Sequence, residues 1–295
     1  MSGTPTGLAL YHRTAEAAAA AVISRYSTSF ALACRLLGPR PRPHVRNIYA
    51  LVRVADEIVD GPGEDAGLDT TAQRRVLDDL ERETYAAIES GFSSNLIVHA
   101  FARTARECGI GPDLIEPFFQ SMRVDITTHE HDAASHDAYV YGSAEVVGLM
   151  CLQVFVNAER PGTAPAPAEL VEGARRLGAA FQDVNFLRDL DFDEDALGRD
   201  YLGIENGSVD RADVLDRIDG DLAAAAAVVP GLPADCRRAV TAAHDLFAEL
   251  STRLRREGET ARVRVRVRVR VPDPVKAGLA ARAWLGFAPR GARTS

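Results

Sequence analysis

The sequence predicts an all-α, single-domain bundle around a central cavity, and three observations carry that reading. Nearly every segment repeats its apolar residues at helical spacing, and the connections are short and punctuated by Gly and Pro. Two of the helices also carry acidic stripes framed by apolar residues. Carboxylates on a helix that is apolar on most sides point into the protein rather than at solvent, and bundles build such sites from facing helices.

In chain order, residues 1–12 read as a flexible leader, 13–288 as the helical domain and 289–295 as a tail. A helix is expected from Arg13 to about Tyr26, where Ser27, Thr28 and Ser29 interrupt it by competing for backbone hydrogen bonds. A short helix resumes to Leu37, and Gly38 to Pro43 form a turn. The first acidic helix covers about 44–60 and stops at Gly61-Pro62-Gly63, a turn that follows a helix and so fails as a dinucleotide fingerprint. Helices follow at about 69–90, 94–108 and 113–128. His129, His131 and His136 lie in a polar stretch with no register for a metal site, which reads as a loop. The helix at 137–157 opens with Tyr139, Tyr141, Gly142, Ser143 and Ala144, small enough for a helix or ligand to approach closely. Its apolar run at Val146–Val156 is too short to span a bilayer. Proline-rich 161–167 is a linker to the second acidic helix, which ends in a loop holding Gly198, Arg199 and Tyr201. Helices at 210–229, 233–257 and 273–285 complete the chain. The five tandem Arg-Val pairs at 262–271 alternate like a strand with nothing to pair with. An exposed connector is expected there, with arginines able to meet anionic lipid.

Composition narrows the function. The balance of 34 basic and 42 acidic residues disfavours a general nucleic-acid binder. The four cysteines form no C-x-x-C pair, which argues against a zinc site or disulfide framework and fits a reducing cytoplasm. The alanine run at 17–21 follows Glu16 and lacks a basic lead-in, so a signal peptide is not expected.

The chemistry is expected on the two acidic helices. In NIYALVRVADEIVD (47–60), Tyr49, Arg53, Asp56 and Asp60 follow one another at spacings of four, three and four. In the second helix Gln182, Asn185, Asp189 and Asp193 do so at three, four and four. Each set shares one helix face. Buried carboxylates repel each other unless something positive joins them. Oxygen ligands from Asp and Asn suit Mg²⁺, which bridges carboxylates to phosphate oxygens, so a diphosphate is the implied guest.

With both helices placed, the chain resembles the squalene/phytoene synthase family. The matching blocks are YSTSF (26–30), YALVRVADEIVD (49–60), YVYGSAEVVGLM (139–150) and QDVNFLRDLDFDEDALGRDYL (182–202), in family order and in wording nearest to bacterial phytoene synthases. The Arg-Val repeat departs from the family pattern. The resemblance implies an isoprenoid-synthase-type bundle and head-to-head condensation of two prenyl diphosphates. It implies Mg²⁺, with Mn²⁺ as a substitute, held by Asp56 and Asp60 on one side and Asn185, Asp189 and Asp193 on the other. Arg53, Arg188 and Arg199 would bind phosphate oxygens, and Tyr49, Gln182 and Tyr201 would orient them. Ser27, Ser29 and Phe30 would form the rim of the substrate pocket. Tyr139 is expected to serve the first half-reaction, with Tyr141 as competitor because spacing alone does not separate them. Cys34, one turn beyond Phe30, and small Ala31 and Ala33 leave room for a C20 chain, which favours geranylgeranyl diphosphate and phytoene, a product needing no NADPH. A squalene- or dehydrosqualene-type synthase using farnesyl diphosphate is the alternative within enzymes. A non-catalytic helical scaffold is the alternative of another class. Expected partners are the prenyl diphosphates, a membrane surface touched peripherally and a downstream desaturase, in the cytoplasm and without nucleic acid.

Overall fold

A computed structural model describes residues 6–127, 133–160, 162–193, 202, 204, 209–260 and 269–291. Among them all regular structure is helical. The helices are α1 (Gly7–Tyr26), α2 (Thr28–Arg35), α3 (Arg42–Val59), α4 (Pro62–Asp65), α5 (Thr70–Ser90), α6 (Leu96–Cys108) and α7 (Pro112–Asp125). They continue with α8 (Ala133–Val140), a π-helical turn (Tyr141–Glu145), α9 (Val146–Asn157), α10 (Ala168–Asp193), α11 (Arg211–Val228), α12 (Ala234–Thr260) and α13 (Asp273–Trp284). Most starts are written in the sequence. Ser27, Asp69, Asn95 and Asp210 each accept a hydrogen bond from a backbone N–H of the first turn of α2, α5, α6 and α11. Gly91 and Gly109 end α5 and α6 in left-handed conformations that a side chain would strain.

Two apolar clusters form the core. One gathers Ile48, Leu51, Phe101, Phe118 and Met150 from α3, α6, α7 and α9. The other gathers Val184, Leu187, Ile218, Phe247 and Leu254 from α10, α11 and α12. Phe30 on α2 packs against both. The cavity lies where the clusters meet, lined by residues of each.

Glycines set the distance between α10 and the helix before it. A Cβ on Gly148 would stand 2.6 Å from the Ala174 carbonyl oxygen, and one on Gly178 would stand 2.7 Å from that of Ala144. Arg40 closes the far end of α9. Its guanidinium donates to the carbonyls of Val154, Phe155 and Ala158, and to both carboxylate oxygens of Asp235 at 2.9 Å. A cation at the end of α9 satisfies carbonyls that the helix itself leaves unpaired.

The structure departs from several expectations. Helix α1 begins at Gly7, inside the expected leader, and Tyr11 and His12 fix it by hydrogen bonds to the Ser93 carbonyl and to His99. The expected tail is held at Arg290, whose backbone N–H donates to Asp245 at 2.8 Å. His136 lies in α8 and is buried against Asp183, while His129 and His131 fall outside the described residues. Pro62–Asp65 forms a helical turn rather than a bare loop. Val269 and Val271 are buried in the second cluster, so the described end of the Arg-Val stretch is not an exposed connector. Residues 262–268 fall outside the described residues. The stretch Ser135–Asn157 is long and apolar enough to cross a membrane by length and composition, longer than the sequence run indicated. Here it packs between α7 and α10 and lines the cavity.

Candidate active site

The described members of both acidic-helix sets line one cavity of about 720 Å³. Helix α3 contributes Tyr49, Arg53, Asp56 and Asp60, and α10 contributes Gln182, Asn185, Arg188 and Asp189. The remaining wall is mostly apolar, with Ile48, Val52, Val147, Leu177 and Phe181 among the lining residues. The side chain of Asp193 and the whole of Arg199 and Tyr201 fall outside the described residues.

Electrostatics at the polar end are unbalanced toward negative charge. Asp56 keeps 29% of its side chain accessible, yet that surface opens into the recess rather than onto bulk solvent. Burial and the neighbouring Asp60 push its carboxyl up to about 8, Asp125 adds to the rise and Arg53 opposes it. Arg53 is held by Glu57 and stands 4.7 Å over the Tyr26 ring. Its Nε is buried and has no hydrogen-bond partner among the described residues. A buried guanidinium N–H left unpaired is costly, and an anion entering the cavity would satisfy it. Arg188 grips Asp189 with two hydrogen bonds of 2.9 and 3.1 Å. Burial also raises the Tyr49 phenol above its usual range.

The two candidate tyrosines part company. Tyr139 lines the cavity, is 7% exposed and donates to Asp125 Oδ2 at 3.0 Å. Tyr141 packs under the Arg175 guanidinium instead, 5.5 Å from ring centre to charge. The π-helical turn between α8 and α9 begins at Tyr141, and such turns often accompany functional sites.

At the proposed rim, Phe30 lines the cavity beside Tyr49 and Phe181, with ring centres 6.2 and 5.9 Å away. Ser27 caps α2 by accepting the Phe30 N–H at 3.1 Å, so it adjoins the rim without lining the cavity. Ser29 does not join the cavity. It borders a separate small recess with Lys276 and Leu279 of α13, because one step along a helix turns a side chain about 100°. Ala33 and Cys34 line the cavity as the C20 argument requires, but Ala31 is not among the lining residues.

Sequence reasoning missed Asp125 and Ser143. Both line the cavity, and the Ser143 hydroxyl is buried without a partner among the described residues. Asp125 has no second acid three or four positions away in α7, so the stripe pattern that exposed the other carboxylates was absent.

The sequence model of one protein family, squalene/phytoene synthase, matches residues 23–206. The chain belongs to the squalene/phytoene synthase family. The matched stretch contains every polar cavity residue named above, while α11–α13 lie beyond it, and α11 and α12 contribute apolar wall such as Ala225 and Val240. Among relatives, a chloroplastic phytoene synthase of Zea mays is 30% identical over 213 residues, 70% of this chain and 46% of that protein. The chain thus spans about half the length of that relative. A 15-cis-phytoene synthase of a Paracoccus species is 27% identical over 261 residues, 81% of this chain and 82% of that protein. Among solved structures, a dehydrosqualene synthase in complex with ligand superposes with a TM-score of 0.74 at 22% identity, covering 93% of this chain and 96% of that one. That likeness shows the fold shared with squalene/phytoene synthases.

Proposed function

We propose that this chain condenses two prenyl diphosphates head to head, taking geranylgeranyl diphosphate to phytoene through a cyclopropylcarbinyl diphosphate. The observation that carries the reading is that Asp56 on α3 and Asp60 at its C-terminal end line the same mostly apolar cavity as Asn185 and Asp189 on α10. Membership of the squalene/phytoene synthase family supports the reaction class, and phytoene synthases among the relatives support the C20 substrate.

The donor set fits a hard divalent ion. Its atoms are oxygens from three carboxylates and an amide, and the Asp56 carboxyl is strained by burial beside Asp60. Among the described residues no three His, Cys, Asp or Glu side chains close into a ready-made metal centre. Asp56, Asp60, Asn185 and Asp189 would hold Mg²⁺, with Asp193 following on the same helix. Bound there, Mg²⁺ supplies positive charge against the leaving diphosphate.

The chain's own groups account for the rest. Arg53 offers its unpaired Nε to phosphate oxygen. The rings of Phe30, Tyr49, Phe181 and Phe186 surround the apolar path and can stabilise an allylic cation through their faces, each by about 0.5–2 kcal/mol. Ile48, Val52, Val147 and Leu177 keep water from that cation, which would otherwise be quenched to an alcohol. Tyr139 lines the cavity and directs its proton to Asp125. A proton accepted there can pass on to the carboxylate.

The test is a product assay offering farnesyl and geranylgeranyl diphosphate separately, with Mg²⁺ or EDTA and with or without NADPH. Phytoene from the C20 substrate, abolished by EDTA and indifferent to NADPH, is the expected result. A C30 product would keep the condensation and overturn the pocket-length argument from Ala33 and Cys34. No hydrocarbon from either substrate would leave the scaffold reading. In parallel, Mg²⁺ with inorganic diphosphate at a hundred times its Kd should stabilise the fold by about 2.7 kcal/mol, and neither alone should do as much.

A further inference from the structure

Seven large apolar side chains stand exposed among the described residues, and three of them fall within four positions at the end of α13. Trp284 is 59% exposed, Leu285 65% and Phe287 56%. They do not sit on a loose tail. Gly286 takes a left-handed conformation with φ of +86°, and the turn closes through hydrogen bonds from the Gly286 N–H to Ala283 O and from the Phe287 N–H to Arg282 O. Arg282 lies 5.6 Å over the Phe287 ring and pairs with buried Asp245, which also accepts the Arg290 N–H. The opposite face of α13, Leu279, Ala280 and Ala283, is buried. The apolar trio is therefore presented to solvent in a fixed frame and has no way to fold inward.

Charge identifies the occupant. Residues 261–295 contain nine Lys or Arg and one Asp, whereas residues 1–260 contain 25 basic and 41 acidic residues. Helix α12, against which α13 packs, carries five of each sign, and its Asp245 and Glu249 pair with Arg282 and Arg290, which still leaves the segment with an excess of positive charge. A second copy of the chain would bring two strongly basic segments together, which like-charge repulsion opposes. An interface of Trp, Leu and Phe set in a basic segment matches an anionic bilayer, whose headgroups attract Arg and Lys while its outer hydrocarbon accepts the rings. We propose that the α13 tip, Trp284, Leu285 and Phe287, docks this protein on an anionic membrane surface. Ala33 borders both the main cavity and the recess under α13, so docking sets the α2 wall of the cavity near the lipid.

Trp284 is the single tryptophan of the chain, so its fluorescence reports on this tip alone. The experiment adds vesicles of equal parts phosphatidylglycerol and phosphatidylcholine, or of phosphatidylcholine alone, to the full chain without substrate. Trp284 emission should shift to the blue with the anionic vesicles, the protein should float with them, and high salt should weaken both effects. Leu285→Ser with Phe287→Ser, both exposed and outside the cavity, should keep native circular dichroism and bind the anionic vesicles about tenfold more weakly. Flotation with unmoved Trp284 emission would place the membrane contact elsewhere and overturn the proposal. No flotation with either vesicle would also overturn it, as would a concentration-dependent blue shift with dimer formation in the absence of lipid. Because no substrate enters, failure here is distinct from failure of the condensation reading.

Discussion

At the scale of single residues, stability and function pull Asp56 in opposite directions. Its carboxyl is buried beside Asp60 and near Asp125, an arrangement that destabilises the fold until a cation joins them. Asp56→Asn keeps the shape and removes one charge. It should lower turnover at least about a hundredfold, while thermal unfolding in EDTA stays at or above the wild-type midpoint. A variant that keeps its activity would sink the metal assignment. Tyr139 and Tyr141 are separated by the same kind of test. Tyr139→Phe strips Asp125 of a donated hydrogen bond and should cut kcat about tenfold or more with KM little changed, whereas Tyr141→Phe, beneath Arg175, should leave both near wild type. Equal effects of the two changes would refute the assignment. At this scale the sequence revealed whatever was periodic. Asp56, Asp60, Asn185 and Asp189 announced themselves as pairs, but Asp125, with no acid one turn away on α7, gained its meaning only when α7 met α8.

At the scale of elements, the π-helical turn at Tyr141–Glu145 exists because two helices must come very close. A Cβ on Gly142 would lie 1.9 Å from the Ser121 hydroxyl and 2.4 Å from the Pro117 carbonyl oxygen. Gly142→Ala should therefore force α7 and the turn apart, costing about 2–4 kcal/mol in urea unfolding. It should also lower activity, because Tyr139 lies just before the turn and Ser143 within it, and both line the cavity. A neutral Gly142→Ala would show that the contact is slack. Small residues at 142–144 signalled a close approach, and the structure shows which helix makes it. The π register itself left no trace in the sequence, since its five residues read as ordinary helix. The long helices were legible from apolar spacing and caps, whereas the short α4 and the first turn of α8 were read as loop. The missed start at Gly7 has a physical reason as well. Residues 7–10 expose Leu8 and Leu10, so no apolar stripe marks them, and the turn is held by Tyr11 and His12 reaching across to Ser93 and His99.

At the scale of the whole molecule, the ion pair of Arg40 with Asp235 ties the start of the chain to α12. The Arg40 guanidinium holds the Asp235 carboxyl below the usual carboxylate range. Since the folded value lies below the unfolded one of about 3.9, the pair stabilises the fold above that pH and the contribution vanishes as pH falls through the folded value. Asp235→Asn should thus cost about 1 kcal/mol at neutral pH and progressively less below about pH 3. Urea titrations of variant and wild type at the two pH values measure the difference, and a gap that widens in acid would contradict the assignment.

The same residue has a consequence in time. Arg40 and Asp235 are separated by 195 positions, and the carbonyls that Arg40 also binds lie 114 to 118 positions away. At about 5–20 residues per second, translation delivers Asp235 roughly 10–40 s after Arg40. Until then the ion pair is unmade, and the apolar chamber, Ile48 and Val52 included, lacks the wall that Ala239, Val240 and Ala243 of α12 contribute. The apolar cavity of the finished protein is, during synthesis, an apolar surface still awaiting its last wall.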